Sequence, residues 1–234
     1  MRAINVGPFL AFAFLFAMAI FFGWTSAKVT AGLLLHGDEG GVAWFATIFC
    51  FSYACLIIVS RLHLVCFPLK AGAIAEGSKD EFHYHVYLLF YLFFFQPLTR
   101  ALFVPVPIMR LVYIALGARL GENTYSAGTI LDPPLTVIGD NTIIGHDALI
   151  FSHIVEGSKL TLAPVRIGNN VTIGAKAVIM PGVSIEDGAI IGVGAVVRKH
   201  SVVGVGQVWV GNPAEMKRQA SHTLLSGNNT SRKN

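Results

Sequence analysis

The chain has 234 residues, of which 54% are hydrophobic and 13% charged, and it carries a formal net charge of +4. That balance excludes an ordinary soluble globular protein over the whole length. All three cysteines, Cys50, Cys55 and Cys66, lie in the first third, which excludes a disulfide framework in the remainder. The tail cations Lys217, Arg218, Arg232 and Lys233 have no interleaved aromatic residues, so no nucleic-acid partner is expected.

Residues 7–27 contain one proline and no charged side chain, and a helix rising ~1.5 Å per residue covers a ~30 Å hydrocarbon core in such a run. A transmembrane helix is expected there. The rival reading, a cleaved signal peptide after Arg2 with small residues at Thr25, Ser26 and Ala27, fits less well because the run exceeds a typical h-region of about 7–15 residues. Residues 42–60 form a second uncharged run, joined to the first by a loop holding Lys28, His36, Asp38 and Glu39. Residues 1–70 thus read as a transmembrane helical hairpin. Arg2 before the first run, with Arg61 and Lys70 after the second, places both outer ends in the cytoplasm. An inner-membrane, multi-pass protein with a cytoplasmic carboxy-terminal domain follows.

Residues 71–116 read as a connector. Its apolar part, Val86 to Phe95, is too short to cross, and Pro97, Pro105 and Pro107 follow it with Arg100 and Arg110, a pattern of interfacial or re-entrant helices. A buried connector packed on the soluble domain is the other reading. His83-Tyr84-His85 lacks cysteine or carboxylate partners at metal-ligand spacing and is read as interfacial aromatic anchoring.

From Ile138 an aliphatic residue recurs every sixth position: Ile138, Ile144 and Ile150, then Ile167, Ile173, Ile179, Ile185, Ile191, Val197 and Val203. Neither the 3.6-residue period of a helix nor the two-residue period of a strand produces this spacing. A β-solenoid does, with three hexads to a coil, the aliphatic side chain pointing inward and Gly or Asn serving the bends. Residues 117–218 are assigned to it and residues 219–234 to a flexible tail.

The segments Ile138-Gly-Asp-Asn141, Val165 to Gly174, Ala177 to Val183, Ile191 to Val197 and Val210-Gly-Asn-Pro-Ala214 resemble the hexapeptide-repeat acyltransferases, in particular the maltose, nodulation-factor and xenobiotic acetyltransferase group. The resemblance covers about Leu116 to Arg218. It implies an all-β left-handed parallel β-helix, a homotrimer with sites between neighbouring prisms, and acetyl-CoA or another acyl-CoA as co-substrate with no metal. The period breaks between Ile150 and Ile167, and the inserted stretch carries His153. The resemblance makes a histidine at this loop the general base toward the acceptor, a task that imidazole suits with its pKa near ~6.5. His146 is the other candidate, because the stretch from Asn141 to His153 is two residues shorter than in the maltose acetyltransferase type. Asp132 matches an aspartate on the acceptor side, whereas an upstream asparagine of the family has no counterpart and Ser126 lies nearby. Ala175 and Val193 fall at pantetheine-contacting positions and Arg198 and Lys199 near the nucleotide. Trp209 and Pro213 either flank adenine or cap the solenoid.

The function expected is transfer of an acyl group, most simply acetyl, to a hydroxyl of a membrane-associated acceptor such as a lipid-linked or exported glycan. An N-acyl acceptor stays open. Two alternatives are a γ-type carbonic anhydrase, which Gly145-His146 resembles but whose histidine spacing is not met, and a non-catalytic trimeric scaffold.

Overall fold

A computed structural model describes residues 5–34, 41–100 and 104–219. Arg2, the loop residues His36, Asp38 and Glu39, and the tail from residue 220 lie outside the described residues. The chain divides into two bodies, residues up to 70 with 74–95, and residues 71–73 with those from 96 onward.

The first body is helical. Val6–Leu34 and Val42–Cys66 are helices, both long and apolar enough to cross a membrane, with mean hydropathy 2.2 and 2.3. Gly23 sets their approach, since a Cβ there would lie 2.7 Å from the Cα of Ser52, and Trp24 meets Trp44 edge-on. Only 22% and 11% of their most apolar windows are buried. The side chains left outside include Phe14, Phe21, Phe45, Phe49 and Ile58.

Lys79–Phe90 continues this body. It starts at a capping box: Ser78 Oγ accepts from the Glu81 N–H at 3.1 Å, while Glu81 Oε2 accepts from the Gly77 N–H at 2.6 Å. Phe90 and Phe94 pack on Phe12 and Phe16 of the first helix at ring separations of 5.0 Å. Tyr84 and His85 are buried, and the His83 ring stacks on Phe67 at 3.7 Å. The interfacial anchoring expected of this trio is thus corrected for Tyr84 and His85, which are used in packing.

The second body is the solenoid. Three parallel sheets form its faces. Face one stacks Arg119–Leu120, Thr136–Ile138, Val165–Ile167, Ser184–Ile185 and Val202–Val203. Face two stacks Tyr125–Ser126, Ile143–Ile144, Thr172–Ile173, Ile190–Ile191 and Gln207–Val210. Face three stacks Thr129–Ile130, Leu149–Ile150, Val178–Ile179 and Val196–Val197. Registers of Arg166↔Ser184 and Ser184↔Val202 confirm three hexads per coil. Each of the ten periodic aliphatic residues is at most 3% exposed, so three stacks of Ile and Val, one from each face, converge in the prism with Ala148, Ala177, Ala189 and Ala195.

Gly or Asn serves the bend at six corners, as expected, and Asp147, Lys176 and His200 serve it at three. The left-handed backbone falls three residues after every periodic aliphatic residue except Ile150, at Asn141, Asp147, Asn170, Lys176, Gly182, Gly188, Gly194, His200 and Gly206. The glycines directly after the aliphatic residues, such as Gly139, Gly145, Gly168 and Gly174, have no positive φ. They are required by close approach of successive coils: a Cβ on Gly174 would lie 2.5 Å from the Val193 nitrogen, and one on Gly145 2.5 Å from the Ala175 nitrogen. Between faces one and two a side-chain ladder adds to this stacking. Asp140 Oδ1 accepts from the Glu122 N–H (2.7 Å), Asn169 Oδ1 from the Asp140 N–H (2.8 Å), and Asp187 Oδ1 from the Asn169 N–H (2.7 Å).

The coil begins earlier than the period shows. Leu120, Ser126 and Ile130 stand in register with Ile138, Ile144 and Ile150, but Ser126 replaces an aliphatic residue and the corner from Ser126 to Ile130 is two residues short. Tyr113, from the helix Val106–Leu116, braces that corner. Its hydroxyl donates to the Gly128 carbonyl and accepts from the Ile130 N–H, both at 3.1 Å, and burial pushes the phenol up to about 12. Met109 and Leu116 are buried on the same side of the helix, and Arg110 donates to the Gly121 carbonyl at 2.8 Å. Ile108, Leu111 and Ile114 are exposed on the other side. At the far end Trp209 stands in register with Ile191 and packs on the core.

Candidate active site

The interruption of the period is an antiparallel hairpin, His153–Glu156 paired with Lys159–Leu162. Its left-handed turn falls at Gly157, and Leu160 and Leu162 face inward while Glu156 and Lys159 stay exposed. The hairpin leaves the prism at the corner after Ile150, and His153 starts its first strand.

One coil earlier the same corner holds Asp132, which precedes the short 3₁₀ turn Pro133–Leu135. Its side chain is 3% exposed, and Oδ2 lies 2.7 Å from Nδ1 of His153. The same oxygen accepts from the Ser152 N–H at 2.7 Å, and the Asp132 carbonyl accepts from the Thr136 hydroxyl at 3.0 Å. A carboxylate only accepts, so Nδ1 carries the proton and Nε2 keeps its lone pair in the neutral ring. The hydrogen bond that His153 donates to Asp132 holds the His153 pKa above its ordinary value, against the opposing pull of partial burial.

A cavity of about 430 Å³ opens beside His153, lined also by Phe151, Ile154, Met180, Pro181, Glu156 and Lys199. Lys199 forms an ion pair with Glu156, tying the hairpin to the corner two coils on. Both partners are exposed, so the pair contributes little to stability, but it fixes a cation at the cavity.

His146 sits elsewhere. Its carbonyl accepts from the Lys176 N–H and the Ala175 carbonyl from the Gly194 N–H, each at 2.9 Å, so His146, Ala175 and Val193 form one column along the edge between faces two and three. Pro181 and His200 stack on the next edge, between faces three and one, with Lys199 and His153. Within one chain the structure therefore groups Asp132, His153 and Lys199, and separately His146, Ala175 and Val193. Arg198 is exposed on the His153 edge. His146 is exposed, 3.5 Å from Asp147. Among the described residues no cluster of three or more His, Cys, Asp or Glu is placed to hold a metal ion.

Sequence reasoning missed Ser152 and Glu156. Ser152 acts through its backbone, which no residue type signals; Glu156 lies in the insertion already singled out, and opposite charges on a hairpin and a flanking corner are the signal that was present.

Residues 164–199 match the model described as bacterial transferase hexapeptide (six repeats). The galactoside O-acetyltransferase of Escherichia coli (strain K12) is 36% identical over 94 residues, covering 35% of this chain and 45% of its own. A mitochondrial γ carbonic anhydrase of Arabidopsis thaliana is 30% identical over 84 residues, covering 36% of this chain and 26% of its own. A galactoside acetyltransferase solved in complex with coenzyme A is similar at 20% identity and a TM-score of 0.49, over 64% of this chain and 88% of that one. The matches span less than half the length of the curated relatives. Residues 164–199 thus carry the hexapeptide repeat of the bacterial transferase model, and acetyltransferases are among the proteins to which the chain is similar.

Proposed function

We propose that the chain is a membrane-anchored acyltransferase that moves an acetyl group from acetyl-CoA to a hydroxyl of a membrane-associated acceptor. The observation that carries this reading is the Asp132–His153 pair, at 2.7 Å, placed at the one interruption of the solenoid and beside an open cavity. Asp132 is a positioning residue. It presents the Nε2 lone pair, which takes the acceptor proton as the acceptor oxygen attacks the thioester carbonyl carbon. The C–S bond then breaks, and the imidazolium returns the proton to the leaving thiolate. A general base contributes about 10²–10⁴-fold.

The two column edges supply the rest. In a homotrimer the edge carrying Ala175 and Val193 of one prism faces a neighbour, giving the pantetheine arm a groove, while Lys199 and Arg198 supply cations for the phosphates. The exposed apolar surface of Val6–Leu34 and Val42–Cys66 supports a bilayer location, because a core helix of a soluble protein would bury those side chains. The orientation with the solenoid in the cytoplasm rests on the flanking cations.

The carbonic anhydrase reading has less support: zinc needs three converging histidines, whereas His146 and His153 lie on different edges and Nδ1 of His153 is engaged by Asp132. The full chain, purified in detergent, is expected to bind CoA, and His153→Ala to keep that binding while transfer falls about a hundredfold or more. Absence of CoA binding by the wild type, or full transfer by His153→Ala, would overturn the proposal. Mass spectrometry of lipids and glycans from cells lacking the chain identifies the acceptor.

A further inference from the structure

The shortened corner of the first coil has a counterpart in empty space. In a regular hexad a residue would stack over His146 as His146 stacks over Ala175; here the chain cuts from Ser126 to Ile130 through Gly128, whose added Cβ would sit 2.4 Å from the Ala148 carbonyl oxygen. The space so vacated belongs to a cavity of about 510 Å³, walled by Thr99, Arg100, Val104, Val106 and Met109 on one side and by Ser126 to Thr129 and His146 to Leu149 on the other.

Its lining combines apolar side chains, Val104, Val106, Met109 and Leu149, with polar ones, Arg100, Thr129 and His146. Asp147 also lines it, but its carboxylate is 3.5 Å from Nε2 of His146. Among the described residues the guanidinium of Arg100 has no hydrogen-bond or ion-pair partner. A planar cation with five donors and no carboxylate of its own matches a phosphate group, which it binds through two parallel N–H···O contacts.

We propose that this cavity binds a phosphate monoester or diester carried on an apolar chain, with the phosphate on Arg100 beside His146 and the chain along Val104, Val106, Met109 and Leu149. The inference rests on the acyltransferase reading for its biological sense, since it names the acceptor class as a lipid-linked phosphate. It does not depend on that reading for the binding itself. Arg100 is outside the solenoid, so acceptor choice would be written in the segment that leads into the repeat domain.

The test uses the full chain in phosphatidylcholine nanodiscs, titrated calorimetrically with hexyl phosphate, inorganic phosphate and hexanol. Hexyl phosphate is expected to bind saturably and more tightly than either fragment, and Arg100→Gln to weaken it at least tenfold. Val104→Trp, which takes up space among the apolar side chains, is expected to weaken hexyl phosphate while sparing inorganic phosphate. Equal binding of inorganic and hexyl phosphate would locate the specificity in the phosphate alone and overturn the lipid-linked source. Unchanged binding in Arg100→Gln, or hexanol binding as tightly as hexyl phosphate, would overturn the site. His153→Ala separates the two proposals: loss of acetyl transfer with intact hexyl phosphate binding supports both, and binding by a wild type that transfers no acetyl group leaves the site standing while the enzymatic reading fails.

Discussion

At the scale of the residue, His153 is governed by one neighbour. Asp132 stabilises the protonated ring, so the folded-state pKa lies above the unfolded value of 6.5. The resulting stability is fully present below pH 6.5 and is lost as pH rises through the folded pKa. Catalysis runs the other way, because the base works only when neutral. The acidic limb of kcat/KM is therefore expected to have its midpoint above 6.5 in the wild type. Asp132→Asn removes the charge while leaving an oxygen for the Nδ1 proton. The limb should move to lower pH, and kcat should fall by about tenfold or more as the ring loses its fixed orientation and basicity. A profile in which the limb stays in place would show that another group sets it, with His146 the first to be replaced. The pair also shows what sequence can reach at this scale. His153 and Asp132 were separately legible, one from the broken period and the other from resemblance, but twenty-one residues separate them, and only the coil's return brings them to the same corner.

The element is the hexad, and its inward positions were readable because burial imposes one aliphatic residue per six from Ile138 to Ile150 and again from Ile167 to Val203. The first coil was not readable, since Ser126 holds an inward position at 1% exposure and the short corner removes two residues from the count. The two uses of glycine were not separable for a related reason: composition shows where glycine is, not whether φ or close approach demands it. These two causes make opposite predictions. Gly174→Ala would push a Cβ to within 2.5–2.8 Å of the backbone at Gly192 and Val193, which cannot move without separating two coils, so a loss of about 1–3 kcal/mol is expected. Lys176→Gly relieves a left-handed residue at φ +58° and should be neutral or stabilising by up to about 1 kcal/mol. Thermal unfolding of the full chain in detergent, followed by circular dichroism, separates them. A Gly174→Ala midpoint equal to that of the wild type would remove the stacking explanation.

For the whole molecule, the question is what covers the apolar helices. A water-soluble protein exposing Phe9, Leu10, Phe14, Phe21, Phe45, Phe49 and Ile58 together would present a contiguous patch far larger than the few hundred Å² found on soluble monomers. A bilayer removes that cost. It also fits the division of charge, since neither helix contains an acidic residue and the Asp and Glu side chains of the described residues all follow Cys66. If the helices span the membrane, the full chain should stay in the pellet when membranes are washed at alkaline pH. Replacing Phe21 and Ala54, both exposed, by Asp places one charge near the middle of each helix, at roughly 2.5–3.5 kcal/mol apiece on insertion scales. The double variant should therefore move largely to the soluble or aggregated fraction. Release of the wild type by the same wash would assign the helices to another partner, and the acceptor argued from the anchor would lose its support. A wild type that stays in the pellet while the double variant does not would tie the membrane to these two faces, and with it the expectation that a lipid-borne hydroxyl is what reaches His153.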